Sequence, residues 1–499
     1  MTPAIEKLLS SAKASASPML IGGDWVMAAS GDEIEVINPA TAAPIGTVAA
    51  AGVAEVDAAV AAAAAAFSGG AWTDVSPYDR SKILWRVAEL LEQHCEDLAL
   101  LNTLENGKPL SASIAGDVPA AAKTFRHYAG LCTKIEGKAP QISSFPNNFH
   151  AYTRHEAIGV VGQIVPWNGP IVAASWKLAP ALAAGCTIVF KPAEETPLTA
   201  LFIGRLLQEA GVPAGVVNII PGYGEVAGAA MCAHDQIRKI AFTGSTEVGR
   251  RIVQSASGNL KKVSLELGGK SPVIICADAD LDRAIPAAAN AIFFNAGQVC
   301  IAGSRLYVEE PIYEKVLAGI AKIAQTLRVG PGMDKDTQMG PLVSRKQLDR
   351  VMAMVEQGQD EGARVVAGGQ RLGGPGYFMQ PTVLADVDQA MTVTREEIFG
   401  PVLCAMKFND LKFNDLGELI EKANDTEYGL AASIWTRDLK RAHTIAARVQ
   451  AGLVWVNCHG VSDPGVAFGG YKQSGWGREN GWEGLEQYLE SKSVIVNIS

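Results

Sequence analysis

From Ile158 onward the chain alternates between short apolar runs and longer helical stretches, and this alternation constrains the fold more than any other feature. Ile158–Val165 reads as a buried strand and Val172–Ala184 as a helix. Thr187–Phe190 is a strand, Thr199–Ala210 a helix and Val216–Ile220 a strand, and another helix starts at Glu225. Ile237–Phe242 and Thr246–Ser255 repeat the pair. Strands separated by helices of this length form parallel βαβ units with right-handed crossovers. The loops after each strand then share one edge of the sheet, where ligands of such folds bind. A second α/β series is expected from near Lys262 to about residue 470, with short strands Ser264–Leu267 and Val273–Cys276, a helix Leu281–Asn295 and a strand Arg305–Val308. Upstream, the Ala- and Val-rich Glu55–Phe67 and the stretch Tyr78–Leu101 read as helices. A chain of 499 residues exceeds what one core holds (about 250–300 residues), so two or more domains are expected.

Composition narrows the function classes. With 48% hydrophobic and 19% charged residues the chain can build large cores and is not globally disordered. A net charge of -9 gives no basic footprint for nucleic acid and no polybasic membrane patch. The apolar run Ile171–Phe190 is interrupted by Lys177, Pro180 and Gly185, so it reads as a buried helix plus strand and not as a membrane span. Met1–Leu20 lacks the pattern of a secretory signal. The eight cysteines form no CxxC pair and the histidines do not cluster with them. No metal site is expected, and a reducing, cytoplasmic location is the default. The near-repeat Phe408–Leu416 reads as a polar surface insertion.

Several residues stand out chemically. Cys300 follows Gly297-Gln298-Val299, where an apolar helix ends at a glycine, so its thiol is expected in a turn at a loop edge. Read alone, it is equally a small buried hydrophobe. Glu266 lies in the apolar strand Val263–Leu267 ahead of Gly268 and Gly269. A carboxylate there is costly to bury, so it is either paired structurally or kept as a base. A thiol that attacks and a carboxylate that activates water would suit acyl chemistry. Asn168, in Pro166-Trp167-Asn168 at a strand's carboxyl end, can aim its amide into the cleft and hold an oxyanion, or sit in an ordinary turn. Phe242–Gly249 follows a strand and opens a helix, offering N–H groups to phosphate, but it is neither a triphosphate loop nor the GxGxxG fingerprint. Lys191 and Glu194 follow another strand; a carboxylate there can accept from ribose hydroxyls and repel a 2′-phosphate, or be a solvated pair.

Together these strings resemble the aldehyde dehydrogenase superfamily, in its hydrolytic branch, from about residue 20 to 495. Trp176-Lys177, Phe242–Ser245, Leu265–Lys270, Gly297–Cys300, Glu396–Pro401 and Phe468–Lys472 carry the likeness in order. The resemblance implies an α/β fold: a Rossmann-like dinucleotide-binding domain (1–131 and 153–266), a second α/β catalytic domain (267–470) and a small β oligomerisation element (132–152 and 483–499). In relatives that element protrudes as a hairpin and pairs with a neighbour's C-terminal strand, which implies a homodimer or homotetramer. The implied activity is NAD-dependent oxidation of a small-molecule aldehyde to the acid. Cys300 looks like the nucleophile, Glu266 the general base, and Asn168 with the Cys300 N–H the oxyanion hole. Lys177 and Glu479 match positions that relay protons in relatives. For NAD, the resemblance implies Ile164, Val165, Pro166, Trp167, Gly224, Gly228, Gly244, Val248, Leu267 and Gly268. It also implies Lys191 and Glu194 at the adenosine ribose, Phe242 and Ser245 by the adenine and pyrophosphate, Glu397 at the nicotinamide ribose and Phe399 by its ring. The site is expected to lower the thiol pKa, since an ordinary thiol is only slightly ionised at neutral pH.

Gly169, Ala173, Trp176, Val299, Ile301 and Phe468 are the expected substrate contacts. Relatives acting on small aldehydes often carry an aromatic where this chain has Gly169, and the loop His459–Gly465 lacks the aromatics of several relatives. Loss of that bulk points to a wide tunnel and a bulky, uncharged aldehyde, aromatic or terpenoid-like, unless a shifted helix refills the space. One rival is a CoA-acylating relative, which typically lacks a carboxylate at the position of Glu266. The other is a non-catalytic structural protein on the same scaffold, as in some lens proteins.

Overall fold

The computed structural model describes residues 9, 10, 12, 14–145, 147–409 and 416–499. Two sheets organise them. The first has eight strands in the order Gly475–Trp476, Lys262–Glu266, Lys239–Thr243, Val160–Ile164, Thr187–Lys191, Val217–Ile219, Met19–Ile21 and Asp24–Val26. Its five central strands are parallel, and the strands joined at its two edges run antiparallel. Val160–Ile164 and Thr187–Lys191 are buried along their whole length, as a parallel sheet covered on both faces requires. The helices Pro170–Ala184, Pro197–Glu209 and Thr246–Ala256 follow their strands as the sequence predicts. Pro170 and Pro197 stand in the first turns, where a missing N–H costs nothing.

The second sheet has seven strands in the order Arg364–Ala367, Thr382–Ala385, Val402–Phe408, Arg305–Glu309, Pro272–Ile275, Ala431–Trp435 and Leu453–Val456. All neighbours are parallel except Arg364–Ala367 on its edge. Two expectations change here. The strand at Lys262–Glu266 belongs to the first sheet, because it pairs with Lys239–Thr243 in parallel register; the second series opens only at Pro272. The helix expected across Tyr78–Leu101 is two helices, Pro77–Gln93 and Cys95–Asn106, broken at His94, whose Nδ1 lies 3.1 Å from Asp97 Oδ2.

Two two-stranded ribbons remain: Glu33–Asn38 pairs with Ala43–Ala49, and Phe149–Ala157 pairs with Leu489–Asn497 of the same chain, whereas the resemblance implies pairing with a neighbour's strand. Residues 135–148 between the preceding helix and this strand form no regular element among those described. Part of the near-repeat Phe408–Leu416 lies outside the described residues. Among the described residues no helix is long and apolar enough to cross a membrane, and the run Ile171–Phe190 divides into helix and strand.

Candidate active site

The carboxyl ends of the central strands of the first sheet line up. Ile164 stands beside Lys191 on one side and Phe242 on the other, and Thr243 stands beside Glu266. Residues from four strands therefore reach one edge, as the alternation predicts. Lys191 is almost wholly buried, and its Nζ donates to Pro192 O (3.0 Å) and Glu194 Oε1 (3.3 Å), leaving a third donor. Burial pulls its pKa down, opposed by the Glu194 charge. Glu194 Oε1 also accepts from Gly224 N at 2.5 Å. Gly228 closes the corner: a Cβ built there would lie 3.7 Å from Lys191 Cε and 3.9 Å from Ile164 Cδ1. Ser245 caps the next helix by accepting from Val248 N at 3.3 Å, and both residues are exposed. The Phe242 ring covers Gly244, where a Cβ would meet Phe242 Cζ at 2.4 Å. Leu267 is buried against Gly249.

The second sheet brings Glu397 and Phe399 against this edge. Glu397 Oε1 accepts from Gly269 N at 2.9 Å, and a Cβ on Gly268 would lie 2.3 Å from Glu397 Oε2, so only glycine permits the approach. Burial raises the Glu397 carboxyl to about 7. The Phe399 and Trp167 rings meet edge to face with centroids 5.3 Å apart.

The segment ahead of Cys300 is bent by three consecutive left-handed residues, Asn295 (φ 50), Ala296 (φ 53) and Gly297 (φ 70). Left-handed alanine costs about 1–2 kcal/mol, so the surroundings must impose this shape. They do so with a web of hydrogen bonds. Asn295 Nδ2 donates to Asn168 O (2.9 Å), Asn168 Nδ2 to Gln298 O (2.9 Å), and Val343 N to the buried Gln298 Oε1 (2.9 Å). Gly297 lies against Gly400, whose carbonyl oxygen would be 2.1 Å from a Cβ there. Asn168 thus commits one amide proton to the loop ahead of Cys300 and keeps the other. Cys300 itself is half-buried in a turn closed by Ala302 N to Val299 O (3.0 Å). The expected lowering of its pKa is corrected by the structure. Burial pushes the thiol up to about 12, and the carboxylates of Glu397 and Glu266 push the same way, against the nearby N–H groups of Ile301 and Cys300.

Glu266 is buried, and its Oε2 has no hydrogen-bond partner. Burial raises its pKa well above the usual carboxylate value, with Lys177 and Arg478 opposing. It is therefore not the structural half of an ion pair. That role falls to Glu479, whose Oε1 binds the buried Lys177 Nζ; Lys177 also donates to Thr243 Oγ1 at 2.8 Å. Burial lowers the Lys177 pKa while the Glu266 charge raises it. Glu479 is placed by paired backbone bonds with Phe468 (2.6 and 2.7 Å). Phe468 in turn packs against Trp176, with ring centroids 4.8 Å apart and the planes tilted by 57°. A Cβ built at Gly169 would touch nothing within 4 Å, and Ala173 lies on the same first turns of the helix. Val299 and Ile301, both half-buried, flank the thiol.

Some groups escaped the sequence reading. Thr243, Asn295 and Gln298 hold Lys177, Asn168 and the nucleophile loop. Asn295 carried one usable signal, since asparagine tolerates left-handed backbone. Arg478 lies near Glu266: both would crowd a Cβ at Gly469, at 2.8 Å from Arg478 Cδ and 2.7 Å from Glu266 Oε1. His459, noted only as the start of a loop, donates from Nε2 to Ile301 O at 3.0 Å.

A thiol in a turn, a buried carboxylate near it with an unpartnered oxygen, and a free amide proton on Asn168 make a set of groups that can serve acyl transfer. The sequence profile described as the aldehyde dehydrogenase family matches residues 25–494. The chain belongs to the aldehyde dehydrogenase family. An aldehyde dehydrogenase of Enchytraeus buchholzi is 47% identical over 496 residues, covering 99% of this chain and 98% of its own. Retinal dehydrogenase 2 of Homo sapiens is 45% identical over 483 residues, covering 96% of this chain and 92% of its own. The NAD+ complex of an aldehyde dehydrogenase from Bacillus cereus superposes with a TM-score of 0.97 at 47% identity, covering 100% of this chain and 99% of that one.

Proposed function

We propose that this aldehyde dehydrogenase oxidises a bulky, uncharged aldehyde to its carboxylic acid with NAD, through a thioester on Cys300. The observation that carries the reading is Glu266: a buried carboxylate with an unpartnered oxygen, raised proton affinity and a charge felt by the Cys300 thiol. A group so placed can take a proton from the thiol and later from water. The raised proton affinity of Glu266 narrows the gap to a thiol that burial has made reluctant to ionise. The Cys300 sulfur then adds to the aldehyde carbon, and Asn168 offers its remaining amide proton to the oxygen that becomes negative. NAD, when bound, supplies the acceptor for the hydride that leaves this carbon. The acyl group stays on Cys300 until water, deprotonated by Glu266, releases the acid. Lys177, Glu479 and Thr243 lie behind Glu266 and carry its proton onward.

The residues present fit NAD. Lys191 retains a donor beside the half-exposed Glu194 for a ribose, and Glu397 is seated over Gly268 and Gly269 for the second ribose. Phe399 stands beside Trp167 for the nicotinamide ring. Within this reading residues 1–131 and 153–266 bind NAD, 267–470 carry the nucleophile, and the ribbon with 132–152 and 483–499 joins subunits into a dimer or tetramer in the cytoplasm. A bulky substrate is favoured by the open space at Gly169. Retention of Glu266 favours hydrolysis over transfer to CoA.

An aldehyde panel with NAD, followed at 340 nm, tests the reading. NADH should form without CoA, and Cys300→Ala should abolish it while NAD still binds. Strict CoA dependence, or undiminished turnover in Cys300→Ala, would overturn the mechanism.

A further inference from the structure

The two sides of the Cys300 turn are held differently. Ahead of it, Asn295, Gln298 and Asn168 interlock with the loop backbone. After it stands Ile301, whose N–H faces the sulfur. The Ile301 carbonyl accepts from His459 Nε2 at 3.0 Å, and His459 Nδ1 lies 3.2 Å from Ser433 Oγ. A carbonyl only accepts, so Nε2 carries the ring proton and Nδ1 takes the proton of the Ser433 hydroxyl. That network needs a neutral ring, and burial pulls the His459 pKa down to about 4.

Ser433 is the fixed end. It is fully buried at the middle of Ala431–Trp435, registered between Val273 and Trp455 in the second sheet. A hydroxyl at such a position is costly unless it is bonded. The ring packs beside Gly303 and against Trp455, whose ring centroid lies 4.9 Å from that of His459.

We propose that His459 is a positioning residue for the nucleophile, tying the Ile301 carbonyl to Ser433 so that the second sheet fixes the turn that aims the Cys300 sulfur. The proposal rests on reading Cys300 as the nucleophile. A displacement of about 1 Å at such a site can cost on the order of 100-fold in rate.

The test uses His459→Phe, which keeps a flat ring and loses both bonds; His459→Gln, which keeps a donor; and Ser433→Ala, which removes only the anchor hydroxyl. Two readouts are taken: the rate of iodoacetamide alkylation at Cys300, located by peptide mass, and kcat with KM for NAD. His459→Phe should slow both alkylation and kcat by about tenfold or more, with KM for NAD within about twofold of the unaltered protein. His459→Gln should recover most of the loss, and Ser433→Ala should fall between. If His459→Phe does not fold, Ser433→Ala against His459→Gln carries the comparison. Alkylation and kcat within about twofold of the unaltered protein in Ser433→Ala and His459→Phe would overturn the proposal, and so would a Gln variant as impaired as Phe. Alkylation needs no turnover, so a protein that oxidises no aldehyde would defeat the proposed function while leaving this result readable.

Discussion

Glu266 is asked to do two things that pull apart. It must be charged to take protons, yet burial favours its neutral form and raises its pKa well above the ordinary carboxylate value. The charged fraction therefore grows over a pH range above that of an ordinary carboxylate, and the steady-state rate should climb with it. In Glu266→Gln both thiol deprotonation and thioester hydrolysis should slow, so the steady-state rate should fall by about 10²-fold or more with no NADH burst, and its pH dependence should flatten. A Gln variant that keeps both the steady-state rate and its pH slope would remove Glu266 from the chemistry. Asn168→Ala should lower kcat by about 10²–10³ if the side chain holds the oxyanion. Because Asn168 also braces Gln298, thermal stability should be measured alongside; a loss of stability with kcat changed less than about twofold would assign it to the loop alone. At this scale the sequence was legible where a residue defied its surroundings: Glu266 in an apolar strand is conspicuous. The thiol's environment was not, because the charges acting on Cys300 come from Glu397 and Glu266, distant in sequence and converging only in the fold. His459 was hidden for the same reason, since its partners Ile301 and Ser433 lie 158 and 26 positions away.

Elements were easiest to read where burial on both faces produced short, mostly apolar runs, as in Val160–Ile164, with only Gln163 polar, and Thr187–Lys191, apolar from Ile188 to Phe190. Periodicity marks a strand but does not say which sheet it joins, so Lys262–Glu266 could be recognised and still be assigned to the wrong series. The partner of Phe149–Ala157, a strand more than 300 residues later, was likewise visible only through family likeness and then within the chain instead of between chains. In the proposed reading the helix Pro170–Ala184 sets substrate choice, because Gly169 is its N-cap and Trp176 lies two turns further on. A new Cβ at Gly169 would meet nothing within 4 Å. Gly169→Phe should therefore be accommodated without loss of stability. It should reduce kcat/KM for aromatic or isoprenoid aldehydes by about tenfold while leaving that for acetaldehyde within about threefold, since lost apolar contact is worth about 1–3 kcal/mol. Equal losses for both would mean that Gly169 is not in the substrate's path.

On the scale of the molecule, the groups proposed to hold NAD are divided between the two sheets. Lys191 and Glu194 extend from the first, while Glu397 and Phe399 extend from the loop ahead of Val402–Phe408 in the second. Each sheet has its own large apolar core. The glycine pair at 268 and 269, which joins the last parallel strand of the first sheet to the first strand of the second, is also where Glu397 is seated. A ligand gripped from both sides links the cores through more than this connection, so NAD should stabilise the protein as a whole and not one half of it. At about 100 times its Kd it should add about 2.7 kcal/mol to stability. By calorimetry, saturating NAD should move the unfolding of both cores upward together. The same rise should appear in Cys300→Ala, because the thiol belongs to the chemistry and not to the grip. Lys191→Ala should lose much of the rise, and Glu397→Ala should lose it chiefly in the transition of the second core if the two separate. Two transitions, only one of which responds to NAD in the unaltered protein, would show that the cofactor is held by a single sheet and that Glu397 and Phe399 serve some other purpose.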